Sequence, residues 1–212
     1  MPVTEITEKE IADIALHQFL KDGVQEFTIK KLTALTGIST KTVYKIFGDK
    51  TNLLRVCLTT HYSRLFRILR EKNSEASNPV VSVLEILYFI AELEFKVNPK
   101  FYADLNKYYP TLQDEIIKTN QDAEFLFAQV TDQGIRQGFF ENEIDPKIVL
   151  ISLQRLYAGI TRDRLFEGFN YPIKTLLDNT VYLFIKGMCT PLGLQKLHEF
   201  TKHGIHNSQQ TP

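Results

Sequence analysis

The sequence predicts an all-α protein, with a small three-helix N-terminal domain joined by a long helix to a larger helical domain. Apolar residues recur at three- and four-residue spacing along most of the chain. No segment shows a sustained two-residue alternation bounded by turns, the mark of a half-buried strand. Cap residues and prolines stand where helices should begin, and glycines where they should end. The N-terminal domain is read over residues 1–50, extending through a connecting helix at 49–72, and the second domain over 73–212.

The elements follow in order. Thr7-Glu8-Lys9-Glu10 is a capping box, so a first helix starts there. It carries Ile11, Ile14, Ala15 and Phe19 on one face and ends at Gly23. Thr28 caps a short second helix with Ile29, Leu32 and Leu35. Gly37 supplies a tight turn, and Ser39 caps a third helix whose Val43, Ile46 and Phe47 face inward until Gly48 stops it. Asp49 caps a long amphipathic helix through Leu53, Leu54, Cys57, Leu58, His61, Leu65, Ile68 and Leu69 to about Lys72. Asn73 to Asn78 reads as a linker, and Pro79 opens the next helix. Asn98-Pro99, Tyr109-Pro110, Asp145-Pro146 and Tyr171-Pro172 then punctuate roughly five or six more helices, with Gly138 and Gly168 at helix ends. The tail after Gly204 reads as frayed.

Hydrophobic residues make up 43% of the chain and charged residues 24%, which suits a globular protein with a sizeable core. The formal charge is zero, but its sign is unevenly spread. Residues 1–72 hold twelve Lys and Arg and eight Asp and Glu; the remainder holds thirteen and seventeen. Between Thr28 and Lys50, five lysines (Lys30, Lys31, Lys41, Lys45, Lys50) meet Asp49 alone, a modest footprint for a polyanion or simply a solvated face. Cys57 and Cys189 do not form a disulfide framework and read as two reduced thiols of a cytoplasmic protein. Early acids at Glu5, Glu8 and Glu10 argue against a signal peptide, and Glu85 and Glu92 interrupt the apolar runs that a membrane span would need.

Three short helices with a glycine turn between the second and third describe a helix-turn-helix over Thr28 to Phe47. Its third helix needs one apolar face and one face that is small or polar. Val43, Ile46 and Phe47 supply the first, and Thr40, Lys41 and Lys45 point outward. Ser39 and Thr42 are short enough for close approach to phosphate, and the Tyr44 hydroxyl can donate to a phosphate oxygen. The competing account packs Tyr44 against the fourth helix and leaves Lys30 and Lys31 as plain solvent lysines.

Residues Ile11 to Leu54 resemble the DNA-binding region of the TetR family. The resemblance rests on Ile14-Ala15, Phe19, Gly23, Phe27-Thr28, Leu32, Gly37-Ile38-Ser39, Thr42-Val43-Tyr44, Phe47, Lys50 and Leu53-Leu54. It implies a homodimeric regulator of transcription that binds operator DNA. In that pattern Thr28 caps the second helix toward the backbone, and Lys30 reaches a base or phosphate. Thr40 and Lys41 read base edges, Thr42 and Tyr44 touch phosphate or groove, and Lys45 adds to either class. Lys50 binds phosphate at the start of the fourth helix, where its charge adds to the positive end of the helix dipole. Thr33, Lys41, Gly48 and Ile29 depart from the residues frequent in the family, and Lys41 alters the groove fit.

The remainder matches the family in helical architecture alone, and there the resemblance implies a cavity for an effector. Its many Phe and Tyr residues suit either a bundle core or an apolar pocket. Gln121, Gln154, Arg155 and Tyr157 are the candidates to orient a small hydrophobic ligand. Dimerisation is assigned to the last two long helices, 146–168 and 172–188. These carry Val149, Leu153, Leu156, Tyr157 and Ile160, then Leu176, Thr180, Leu183, Phe184 and Gly187, with Gly159 and Gly187 allowing close approach. Plain intrachain packing is the competing account.

No enzyme is read. His198 and His203 miss the HExxH spacing, lying about 140° apart round a helix, and His206 adds only a loose cluster. No phosphate loop, nucleophile elbow or cofactor motif stands in the chain, and His61 reads as a core or linker residue. The expected function is a DNA-binding regulator, a repressor released by its effector. The alternative is an all-helical interaction or scaffold protein without operator binding.

Overall fold

The computed structural model describes residues 6–119 and 121–204, leaving aside the side chains at 113, 114, 117–119, 121–123 and 203. By contact the chain divides into two compact units, Met1–Leu65 with Val97–Gln121, and Phe66–Lys96 with Asp122–Pro212.

The first unit opens with α1 (Glu8–Asp22), whose capping box is complete: Thr7 and Glu10 exchange hydrogen bonds in both directions. Then come α2 (Ile29–Thr36) and α3 (Thr40–Phe47), capped by Thr28 and Ser39. Gly37 between them takes the left-handed conformation, φ 74° and ψ −1°, that a side chain resists. Helix α4 (Lys50–Glu75) starts at Asp49, whose carboxylate accepts from the Asn52 N–H at 2.7 Å. One apolar cluster fills the unit, drawing Ile11, Phe19, Phe27, Leu32, Val43, Phe47, Leu53 and Leu54 together.

Two further helices complete this unit: α6 (Pro99–Tyr108) and α7 (Pro110–Thr119). A boundary at residue 73 assigns them to the second domain, yet Phe101, Leu105, Leu112 and Ile116 lie in the N-terminal core. The Asn98 backbone and amide donate to the Leu20 and Lys21 carbonyls at the end of α1, both at 2.9 Å. Asp104 accepts the Gln25 N–H at 2.7 Å. Such pairings span about eighty positions of sequence and leave no periodic signal.

The second unit is organised on α5 (Pro79–Phe95), which packs against α9 (Pro146–Thr161), α10 (Ile173–Asp178), α11 (Val181–Met188) and α12 (Pro191–Gly204). Helix α5 is apolar almost all round, as a central helix must be. Helix α8 (Gln121–Arg136) leads to a short antiparallel bridge, Phe140 to Cys189, the only extended pairing among the described residues. Both cysteines are buried free thiols, and burial pushes Cys57 up to about 12 and Cys189 up to about 11, so both stay protonated.

The C-terminal helices differ from expectation. Eight helices follow α4 among the described residues, because the long segments break. The first ends at Thr161, not at 168. Arg162 turns to pair with Glu94 at 2.8 Å, and Arg164, at φ 52°, lays its guanidinium over the Phe95 ring at 3.9 Å. The second breaks at Asn179 and Thr180, whose side chains donate to the Thr175 and Leu176 carbonyls and compete with the helix ladder. Gly168 lies in a short 3-10 turn, Glu167–Phe169. The tail after Gly204 and His206 lies outside the described residues.

Candidate nucleic-acid interface

Helices α2 and α3 with their N-caps Thr28 and Ser39, and the start of α4, carry every residue assigned to DNA. Each cap does local work first. The Thr28 hydroxyl accepts from the Lys31 N–H at 3.1 Å, and the Ser39 hydroxyl accepts from the Thr42 N–H at 3.0 Å. Ser39 and Thr42 also share a hydroxyl–hydroxyl bond of 2.8 Å. Lys30 on α2 and Thr40, Lys41, Thr42, Tyr44 and Lys45 on α3 are all exposed. Tyr44 is 49% exposed and does not bury itself against α4.

Two lysines are held by the protein. The Lys31 ammonium donates to the Glu26 carbonyl at 3.0 Å and lies 3.9 Å from Asp22. Lys50 is half-buried and donates to the Phe27 carbonyl at 2.7 Å, above the Phe27 ring. Burial lowers its pKa, and Asp104 opposes that shift. Its geometry ties the start of α4 to the chain just before α2, and a phosphate contact would require the ammonium to leave that carbonyl.

Ile46 corrects the sequence reading. The helical period puts it in the core with Val43 and Phe47, but it is 37% exposed while they are buried. At about 100° per residue, Phe47 lies 40° from the Val43 direction, and Ile46 lies about 60° off on the other side. An eight-residue helix packed along the Val43–Phe47 line leaves that flank uncovered. Leu35, at 55% exposure, is likewise outside the core; α2 is anchored by the buried Leu32, with Ile29 packed partly buried against the cluster.

The ligand candidates do not converge. Gln154 and Arg155 are exposed on α9, and the Gln154 amide reaches Glu124 at 3.4 Å. Tyr157 is buried on another face, and the Gln121 side chain lies outside the described residues. Two surface grooves, of about 660 Å³ beside α12 and about 390 Å³ beside Asp13, Ile14 and His17 on α1, include none of them. Among the described residues no group of His, Cys, Asp and Glu is placed to hold a metal ion, and no helix is long and apolar enough to cross a membrane. His61 is half-buried on α4, edge-on to Tyr62.

Sequence reasoning missed the buried polar pairs of the second unit. Glu94 accepts from Arg162 and from the Thr161 hydroxyl, and Tyr88 donates to Asp178 at 2.6 Å. Burial and the Asp178 carboxylate together raise the Tyr88 pKa, so the phenol keeps its proton.

No protein-family profile matches the chain. A curated relative, the uncharacterized HTH-type transcriptional regulator YvkB of Bacillus subtilis (strain 168), is 23% identical over 198 residues, covering 86% of this chain and 97% of its own. Among solved structures, FadR of Bacillus subtilis in complex with stearoyl-CoA matches with a TM-score of 0.71 at 13% identity, over 86% of this chain and all (100%) of its own. The fatty acid degradation regulator FadR of Bacillus halodurans matches at 0.69 and 15%, over 84% and 93%. A TetR transcriptional regulator of Legionella pneumophila matches at 0.66 and 16%, over 87% and 99%. The chain shares its all-helical fold with these and other solved regulators, several of them described as TetR-family.

Proposed function

We propose that this chain is a sequence-specific DNA-binding regulator of transcription, and that it represses until a small hydrophobic effector releases it. The observation that carries the reading is α3 itself. Val43 and Phe47 bury one side, and the other is a polar, cationic surface exposed for its whole length. That division is what insertion in a major groove demands. Thr28, Lys30, Ser39, Thr40, Lys41, Thr42, Tyr44 and Lys45 form the proposed contact set, with Lys50 reaching phosphate by exchanging its carbonyl partner.

A single recognition helix covers one half-site, so two copies are needed to read an operator. We assign the dimer contact to the outer faces of α9 and α11. Val149, Leu153, Tyr157 and Ile160 are consumed by packing within the chain, but Ile148, Ile151 and Leu183 are more than half exposed. Gly187 has open space where a side chain would stand. Gly159 serves the chain instead, because a Cβ there would lie 2.9 Å from Leu165. The effector is assigned to the second unit, and the stearoyl-CoA of the similar FadR structure makes a long-chain acyl thioester the first compound to try.

The test is a fluorescence-anisotropy titration of the full chain with duplexes from its own promoter region and a scrambled duplex, at two salt concentrations. The expected result is tighter binding to one promoter duplex, a steep loss of affinity with salt, and loss of preference in Tyr44→Ala. Equal, weak binding to every duplex of the upstream region and of a genomic library would replace this reading with an interaction protein that uses the same fold.

A further inference from the structure

The exposed side of α3 is not uniform, and its chemistry bears on which bases it would meet. At about 100° per residue, the direction opposite the buried Val43–Phe47 line is occupied by Lys41 and Lys45, four residues apart. Thr40 and Tyr44 lie along one flank of this ridge, and Thr42 and Ile46 along the other. Among the described residues, the ammonium groups of Lys41 and Lys45 enter no hydrogen bond or ion pair. Lys31 and Lys50 nearby are both held by backbone carbonyls. On α3 itself, then, both central cations are uncommitted among the described residues.

A lysine ammonium offers donors and no acceptor. In the major groove the base that presents two acceptors and no donor is guanine, through O6 and N7. Ile46 offers neither donor nor acceptor. The one apolar group on a base edge in that groove is the thymine methyl. Thr42 lies one turn before Ile46 on the same flank. Its hydroxyl bonds to Ser39, and its methyl adds apolar surface to that flank. Four residues of helix rise about 6 Å, close to two base-pair steps.

We propose that α3 reads guanines with Lys41 and Lys45, and a thymine methyl with Ile46 beside Thr42. The operator half-site then holds two G·C pairs about two steps apart, with a neighbouring T·A pair. This rests on the DNA-binding reading above and goes beyond it to the sequence recognised.

The experiment is selection of the full chain against random duplexes, followed by titration of the enriched duplex with single changes. Replacing an enriched G·C pair by A·T is expected to weaken binding roughly 5- to 100-fold. Inosine at the same guanine, which keeps O6 and N7, leaves binding unchanged. Deoxyuridine for the thymine, which removes only the methyl, costs about fourfold. Lys41→Ala or Lys45→Ala loses discrimination at its own guanine, and Ile46→Ala becomes blind to deoxyuridine, each with its helical signal retained. The changes in the DNA alone test the idea even if a variant misfolds. An enriched duplex without guanine, one where inosine is as harmful as A·T, or one indifferent to deoxyuridine overturns the proposal but keeps DNA binding. The lysines would then be phosphate contacts. No enriched duplex at all overturns both.

Discussion

The two units of this chain are built by different rules. In the first, each early helix begins at its own capping side chain: Thr7, Thr28, Ser39 and Asp49. The interior is a single apolar cluster. In the second, the polar and close-packed contacts that shape it join residues far apart in sequence. Glu94 meets Arg162, Tyr88 meets Asp178, and Phe140 bridges to Cys189. The difference teaches that a capped helix start is written locally, as at Asn78 and Asp145 in the second unit too, whereas a contact between distant segments is not, whether it is Asn98 with Leu20 in the first unit or Glu94 with Arg162 in the second.

The strongest way to test the first rule is to empty its core. Phe19 is fully buried, with its ring centroid 4.2 Å from that of Phe27. Phe19→Ala removes a ring from a packed cluster and should cost about 3–5 kcal/mol. Urea unfolding followed by circular dichroism measures it. A loss of less than 1 kcal/mol would mean that the apolar cluster is not what holds the unit.

The second rule predicts a large effect from a single added methyl. A Cβ at Gly193 would lie 2.0 Å from the Phe139 carbonyl oxygen and 3.0 Å from the Cys189 Cβ. The first neighbour is backbone and cannot rotate away. The Thr190 N–H also donates to that carbonyl at 3.0 Å, and the adjoining Glu141 N–H to Met188 at 2.9 Å, which fixes the segment further. Gly193→Ala should therefore cost about 1–3 kcal/mol. A stabilised variant would show that this approach is not close, and that the contrast between the units is overdrawn.

Legibility follows the same division. The starts of α1 to α3, the turn at Gly37 and the exposure of Lys41 and Lys45 were all readable from caps and period. Ile46 was not, because a three-residue step from Val43 is compatible with either side of a short helix. The break after Thr161 was also hidden. Arg162 and Arg164 are good helix formers, and their partners Glu94 and Phe95 lie nearly seventy positions earlier. The ligand candidates are dispersed for a related reason: polarity within an apolar run identified Gln154 and Arg155 but could not say that they are exposed on α9 while Tyr157 is buried.

The smallest effect belongs to the most local device. Glu10 accepts from the Thr7 backbone N–H and the Thr7 hydroxyl, each at 2.8 Å, and these bonds hold its carboxyl below the usual glutamate range, the backbone bond most of all. A pKa lower in the folded than in the unfolded chain means a stabilisation that is present in full above about pH 4.3, the unfolded value. It disappears as pH falls through the folded value. Glu10→Gln keeps an accepting oxygen but no titrating group. The wild type should thus be slightly the more stable of the two at pH 7, with the gap closing by pH 3. A gap of constant size across that range would show that the capping box acts through geometry alone, with no contribution from the carboxylate charge.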